Sequence, residues 1–467
     1  MKKTIASLLL FVFAFAHSNQ AAQKSTLVVR NVALIDMRND RVQIGMTVIV
    51  EGNRITRIGK NIGPPKDARI IDGTGKFLIP GLWDMHVHIF NNTQHAGTDN
   101  HEIYFPLLIA NGVTGVRDMW TDAEDQILVR NWQVDMAAGK LLAPRIAPGS
   151  HIIDGSPTDL PNMLAVSTPE EGRRAVREQK EAGAGFIKVY FRLRPDVYAA
   201  IADESKKLGI PFAGHVPFAI SAATASNSGQ KSIEHLTGIL ETCSSKEDEL
   251  RNAKNLTPPQ LTEQLWQTYD EKKCTDLFRL FAKNRTWQLP NAVLHRMFAF
   301  RREESFRNDP RLKYVIREEA EEWSRAPRQP QQFTLETRTQ RFQKLLEAIG
   351  SMNKLGVPIL AGTDLGNPLM FAGFSLHDEL ELFVRAGLTP FEALQTATVN
   401  PAIYLSREKE LGTIEKGKLA DLILLDANPF DAITNTRRIN AVIANGRLLT
   451  RSDLDKMLAD VEGLVRN

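Results

Sequence analysis

Leu82-Trp83-Asp84-Met85-His86-Val87-His88 is an apolar run that ends on two histidines one residue apart, entered through Phe77-Leu78-Ile79-Pro80-Gly81. Successive side chains of a β-strand point to opposite faces, so His86 and His88 share a face and reach the same point in space. The run around them is mostly apolar, as expected of a strand covered on both sides. Two histidines so placed suit one metal ion. They also suit a pair of hydrogen-bonded core histidines, so their company in the chain must decide.

That company is specific. Ile210-Pro211-Phe212-Ala213-Gly214-His215, Lys231-Ser232-Ile233-Glu234-His235 and Val357-Pro358-Ile359-Leu360-Ala361-Gly362-Thr363-Asp364 are short apolar runs that each end on a side chain able to hold a metal. Barrels of alternating strands and helices assemble their sites at the carboxyl ends of the strands. Gly185-Phe186-Ile187-Lys188-Val189-Tyr190 places a lone lysine inside such a run. Burying an unpaired ammonium lowers its pKa, and the neutral amine can take up carbon dioxide to become an anionic oxygen ligand. The competing reading is a lysine paired with a nearby carboxylate.

Together with Gly112-Val113-Thr114-Gly115-Val116-Arg117-Asp118 and Gly412-Thr413-Ile414-Glu415-Lys416-Gly417-Lys418-Leu419-Ala420-Asp421-Leu422-Ile423, these strings resemble the amidohydrolase superfamily. The branch resembled is the imidazolonepropionase-like, metal-dependent one that includes zinc-dependent prolidases and dipeptidases. The resemblance implies two divalent metal ions, zinc by preference. His86, His88 and Asp364 would hold one, His215 and His235 the other, and carbamylated Lys188 would bridge them. It further implies that a metal-bridging hydroxide attacks the scissile carbonyl while Asp364 carries the proton to the leaving amine.

The expected fold is α/β: a (β/α)8 TIM barrel over residues 76–411 and a smaller β-sandwich built from both chain ends, residues 25–75 and 412–450. Leu27-Val28-Val29-Arg30, Met46-Thr47-Val48-Ile49-Val50 and Ala441-Val442-Ile443-Ala444 supply β-type runs at the two ends. Thr168-Pro169-Glu170-Glu171 and Thr389-Pro390-Phe391-Glu392 read as capped helix starts. The third strand is expected at Pro144–Gly149, and the seventh at Thr286–Pro290 with Val293 and Leu294. Charged helical insertions near 243–285 and 297–350 would wall the catalytic mouth. Leu454, Met457, Leu458, Val461 and Leu464 behind a Ser452 cap predict a terminal helix over 451–467.

A chain of 467 residues with 43% hydrophobic content can bury a large core, and its formal net charge of +3 gives no reason to invoke nucleic acid. Met1-Lys2-Lys3, the apolar stretch Ile5–Ala16 and the small residues after it read as a signal peptide over 1–21. It is too short to span a membrane, so a periplasmic or secreted protein is expected, with a homo-oligomer left open. Cys243 and Cys274 are either one disulfide of an oxidising compartment or two free buried thiols.

The expected substrate is an amide: a dipeptide, an X-Pro peptide or an N-acyl amino acid. A lactone or cyclic amide would use the same ligands, and a secreted barrel that binds without chemistry is the alternative outside enzymes. His151, Tyr190, Arg117 and His295 are the candidates to touch substrate. His95, His101, His295 and His377 read as structural, with His295 held in reserve as a candidate for the site.

Overall fold

The computed structural model describes residues 26–90, 100–253, 255–325 and 333–466. The expected signal peptide and His95 lie outside these residues. Both chain ends contribute to one mixed eight-stranded sheet. Its order is Arg447–Thr450, Ile439–Ala444, Leu422–Leu425, Phe77–Pro80, Thr26–Leu34, Gln43–Glu51 and Arg54–Lys60, with Arg69–Asp72 also paired to Thr26–Leu34. The two ends meet where Leu422–Leu425 runs antiparallel to Phe77–Pro80, Leu422 opposite Pro80 and Leu425 opposite Phe77.

The strands of the two ends thus belong to one hydrogen-bonded sheet. Period-two alternation gives it two apolar faces. Leu422 and Leu424 join Leu27, Val29, Val48 and Val50 in a core of the sheet's own, whereas Ile423 and Leu425 turn into the main core.

Parallel strands make up the body. Leu82–Val87, Val113–Asp118 and Arg145–Pro148 form one sheet; Leu164–Val166, Ile152–Gly155, Ile187–Val189, Phe212–Gly214, Ser232–Glu234 and Trp287–Leu289 form another. Backbone hydrogen bonds carry the pattern beyond them. Gln288 donates to Pro358, Leu360 to Gln288, Met85 to Ala361, and Gly185 to Pro148. The last expected strand is present as bridges, Gln288 with Ile359 and Val87 with Leu365. Every residue of Leu82–Val87 is buried, in keeping with its apolar sequence.

The helix Pro169–Ala182 starts at Thr168, whose hydroxyl accepts from the Glu171 backbone, and Pro390–Thr396 starts at Thr389 in the same way. Two expectations shift. Val293 and Leu294 belong to the helix Ala292–Phe300, not to the seventh strand. The terminal helix, Arg451–Leu464, is capped by Thr450 with Asp453 returning the bond, not by Ser452. After the sixth strand come Ile239–Thr242, Glu247–Arg251, Pro258–Gln267 and Glu271–Asn284, and Cys243 is disulfide-bonded to Cys274 with a Cα separation of 4.7 Å. After the seventh come Glu304–Arg307, Pro310–Tyr314, Arg317–Ser324 and Leu335–Lys354. Among the described residues no helix is long and apolar enough to cross a membrane.

Candidate metal centre

Six side chains from five separate runs converge at the carboxyl ends of the parallel strands. His86 Nε2 and His88 Nε2 lie 3.2 and 3.0 Å from Asp364 Oδ1, and His235 Nε2 lies 3.8 Å from Asp364 Oδ2. The ligand atoms of His86, His88 and Asp364 fall within 4.8 Å of one another, close enough for one ion. The His235 ring is 4.7 Å from that of His86 and 4.9 Å from that of His215. Lys188, His215, His235 and Asp364 line one cavity of about 470 Å³ with His88, Trp120, Tyr190 and Asn162.

Several polar atoms here are left without a hydrogen bond. His86 Nε2, Lys188 Nζ and Asp364 Oδ1 are buried without a hydrogen-bond partner, and so are nitrogens of His88, His215 and His235. Buried polar groups are ordinarily satisfied. Such a concentration of imidazole, carboxylate and amine atoms fits divalent cations of the zinc type.

Charge adds to the picture. Burial pushes the Lys188 ammonium down to about 8, against the pull of Glu234 and Asp364. Burial also lowers His215 and His235 well below the ordinary imidazole value, with Lys188 and their histidine neighbours adding to it for His215. For Asp364 burial acts upward, but His86 and His235 outweigh it and keep the carboxylate ionised. The alternative reading of Lys188, paired to a carboxylate, does not hold among the described contacts: its amine bonds to none.

Local backbone explains how the strands deliver these groups. His235 and Leu236 are consecutively left-handed at φ 57° and 55°, and Asp364 has φ 61°, conformations that non-glycine residues seldom adopt and that cluster at sites of function. A methyl added at Gly362 would meet the His86 backbone nitrogen at 2.9 Å, so the strand carrying Asp364 lies directly against the one carrying His86. Gly214 has φ 132°, and its Cβ would meet Val189 O at 2.3 Å. Only glycine lets the next residue, His215, turn in beside Lys188.

Glu234 is the residue that sequence reasoning passed over. Fully buried, it accepts from His86 Nδ1 at 3.0 Å and from Arg117 Nη2 at 2.9 Å on both oxygens. A carboxylate on the far nitrogen fixes the histidine tautomer and leaves Nε2 facing the ion. Its signal was a second charged residue inside an apolar strand, the same signal that Lys188 gave. Asp84 does comparable work on the backbone, accepting from Thr363 N at 3.0 Å, Thr363 Oγ1 at 2.6 Å and His86 N at 3.2 Å.

Of the four substrate-contact candidates, only Tyr190 faces the cavity, its ring 4.2 Å from that of His215. Arg117 is corrected. All five of its N–H groups are engaged, by Met85 O, Ser232 Oγ, Tyr404 Oη and the two Glu234 oxygens, and it is fully buried. His151 is corrected as well: its Nε2 donates to the Asn162 carbonyl, holding a loop whose residues Leu160, Pro161 and Asn162 line the cavity. His295 Nε2 donates to the His235 carbonyl at 3.1 Å and so supports a strained backbone behind the site. His377 binds Thr436 Oγ1 and the Asn111 carbonyl, and His101 packs against Phe105 and Trp132.

Known proteins share this fold. A 5-methylthioadenosine/S-adenosylhomocysteine deaminase of Thermoanaerobacter pseudethanolicus is 21% identical over 94% of this chain and 99% of its own. Among solved structures, an Xaa-Pro dipeptidase with bound methionine superposes with TM-score 0.66 at 22% identity, over 91% of this chain and 100% of its own. A bottromycin amidohydrolase does so with TM-score 0.73 at 23% identity, over 95% and 92%. These likenesses show the fold. The model of the amidohydrolase family matches residues 77–449, a span that includes all six converging side chains, and the chain belongs to that family, a hydrolase acting on carbon–nitrogen bonds.

Proposed function

We propose that the chain is an exported, binuclear zinc hydrolase that cleaves amide bonds in small substrates: dipeptides, X-Pro peptides or N-acyl amino acids. The strands are taken to close into one (β/α)8 barrel, with both helical insertions at its mouth. The observation that carries the reading is the set of unpartnered buried atoms on His86, His88, Lys188, His215, His235 and Asp364. His86, His88 and Asp364 would hold one ion, His215 and His235 the other, and carbamylated Lys188 would lie between them. Bound divalent ions supply Lewis acidity toward the carbonyl and acidify water.

The rest falls to the chain. Asp364, whose carboxyl is held well below the ordinary carboxylate range, is the base that takes the proton of the attacking water and hands it to the departing nitrogen. Neutral imidazoles at His215 and His235 leave ring nitrogens free for metal. Tyr190, at the cavity wall, is placed to donate to the developing oxyanion. The disulfide Cys243–Cys274 supports an oxidising compartment, and hence export.

Hydrolysis of a cyclic carbon–nitrogen bond is the second reading, favoured by imidazolonepropionase of Geobacillus, 32% identical over 26% of this chain. Incubation of the zinc-loaded protein with a dipeptide panel and with cyclic amides separates the two. Free amino acids from the first support the main reading; ring opening alone supports the second.

A further inference from the structure

Beside the metal cavity lies a second one of about 400 Å³, within the size range of ligand sites. The two lie close together at three strand ends. Tyr190, His215 and His235 line the first, and their chain neighbours Phe191, Val216 and Leu236 line the second. Phe191 stands at the partition, its ring 4.4 Å from that of His215 and stacked at 4.7 Å on Phe218, a phenylalanine left 61% exposed. The opposite wall, Leu240, Leu250, Leu261 and Leu265, comes from the insertion after the sixth strand. The same insertion also brings Glu241, Glu247 and Arg251 to the lining.

Glu241 has no ion-pair partner among the described residues, although two neighbours do. Arg251 gives its guanidinium to the Phe218 and Ile220 carbonyls and to Glu247, and Lys273 also turns to Glu247. Burial raises the Glu241 carboxyl, with Arg251 only partly opposing it. With Arg251 taken up by Glu247 and two carbonyls, Glu241 is the carboxylate left unpaired among leucines and stacked rings, and it suits a cation with a long apolar stem. The Cys243–Cys274 bond anchors the short helix that carries Glu241.

We propose that this second cavity is a specificity subsite for a basic side chain of the substrate, with an aliphatic shaft against Phe191 and the leucines and an ammonium or guanidinium on Glu241. The proposal rests on the amide-hydrolysis reading. The test uses the zinc-loaded, full-length protein and two matched pairs: Lys-Pro with norleucyl-Pro, and Ala-Lys with Ala-norleucine. The first pair puts the side chain on the acyl side, the second on the amine side. In one of them kcat/KM for the lysine peptide should exceed that of its norleucine partner by tenfold or more, and Glu241→Gln should bring the ratio near one. Ratios taken within one preparation cancel losses from misfolding. Equal rates in both pairs, or a lysine preference that survives Glu241→Gln, overturn the subsite and leave amide hydrolysis standing. No hydrolysis of any of the four peptides would overturn the subsite and the dipeptide reading together.

Discussion

Glu234 illustrates how a single residue shapes the site without touching a substrate. Its carboxylate ties His86 Nδ1 to the Arg117 guanidinium in a fully buried chain, so His86 presents one nitrogen in one orientation. Glu234→Gln is expected to weaken zinc binding by about 10- to 100-fold, since losing an outer partner of a ligand histidine has that effect. Competition with a chromophoric chelator measures it; unchanged affinity would deny the orienting role. Asp364→Asn should lower kcat by roughly 10²- to 10⁴-fold while substrate affinity largely persists, as expected for loss of a proton carrier. Steady-state kinetics alongside an inhibitor titration read both quantities, and wild-type turnover in the variant would remove Asp364 from that role.

At this scale the sequence told most about the residues that violate their surroundings. His86, His88, Lys188, His215, His235 and Asp364 are polar groups on apolar strands, a conflict that only function resolves. Arg117 and His295 were legible as unusual but not in their roles. The partner of Arg117 is Glu234, 117 positions away, and that of His295 is the carbonyl of His235, 60 positions away. Such pairings exist only once the strands are side by side.

Among the elements, the helix Phe374–Arg385 is held by charge and by a buried histidine. Asp378 on this helix meets Arg296 at 2.7 Å, Arg311 at 2.9 Å and Arg437 at 2.8 Å, joining the post-seventh-strand insertion to the segment before the Ile439–Ala444 strand. Asp378→Ala would leave Arg296 without its carboxylate, while Arg311 keeps Asp309 and Arg437 keeps Glu381, and is expected to cost about 3 kcal/mol, read as a fall in the denaturant midpoint. His377, one residue earlier, is pushed by burial down to about 4. The unfolded chain binds its proton near pH 6.5, so between these values the unfolded state holds more protons. Stability is therefore full above pH about 6.5 and falls as pH drops toward about 4, by roughly 3 kcal/mol from this residue. His377→Gln should flatten that acid limb in denaturation curves across the range; an unaltered slope would assign it to other groups.

Element boundaries were readable where capping chemistry is local, as at Thr168 and Thr389, and less so where two capping residues compete. Thr450 rather than Ser452 begins the last helix because Asp453 completes the reciprocal bond with it. How the two ends join was not legible for a different reason. Alternating patterns announce strands with two apolar faces, but that Leu422–Leu425 pairs edge to edge with Phe77–Pro80 is a matter of tertiary register, which alternation does not encode.

On the scale of the whole molecule, metal and fold should be coupled. A native state that binds zinc and an unfolded state that does not differ by about 4 kcal/mol when free metal is 1,000 times its dissociation constant. Chelation is thus expected to lower the melting temperature, and zinc to restore it. The central claim is that an anionic Lys188, four histidines and Asp364 grip a pair of cations. A crystal structure of the zinc-loaded protein, with anomalous scattering at the zinc edge, tests it most directly. The account predicts two anomalous peaks, with carbamate density on Lys188 between them. An unmodified Lys188 ammonium remote from any anomalous peak would contradict it.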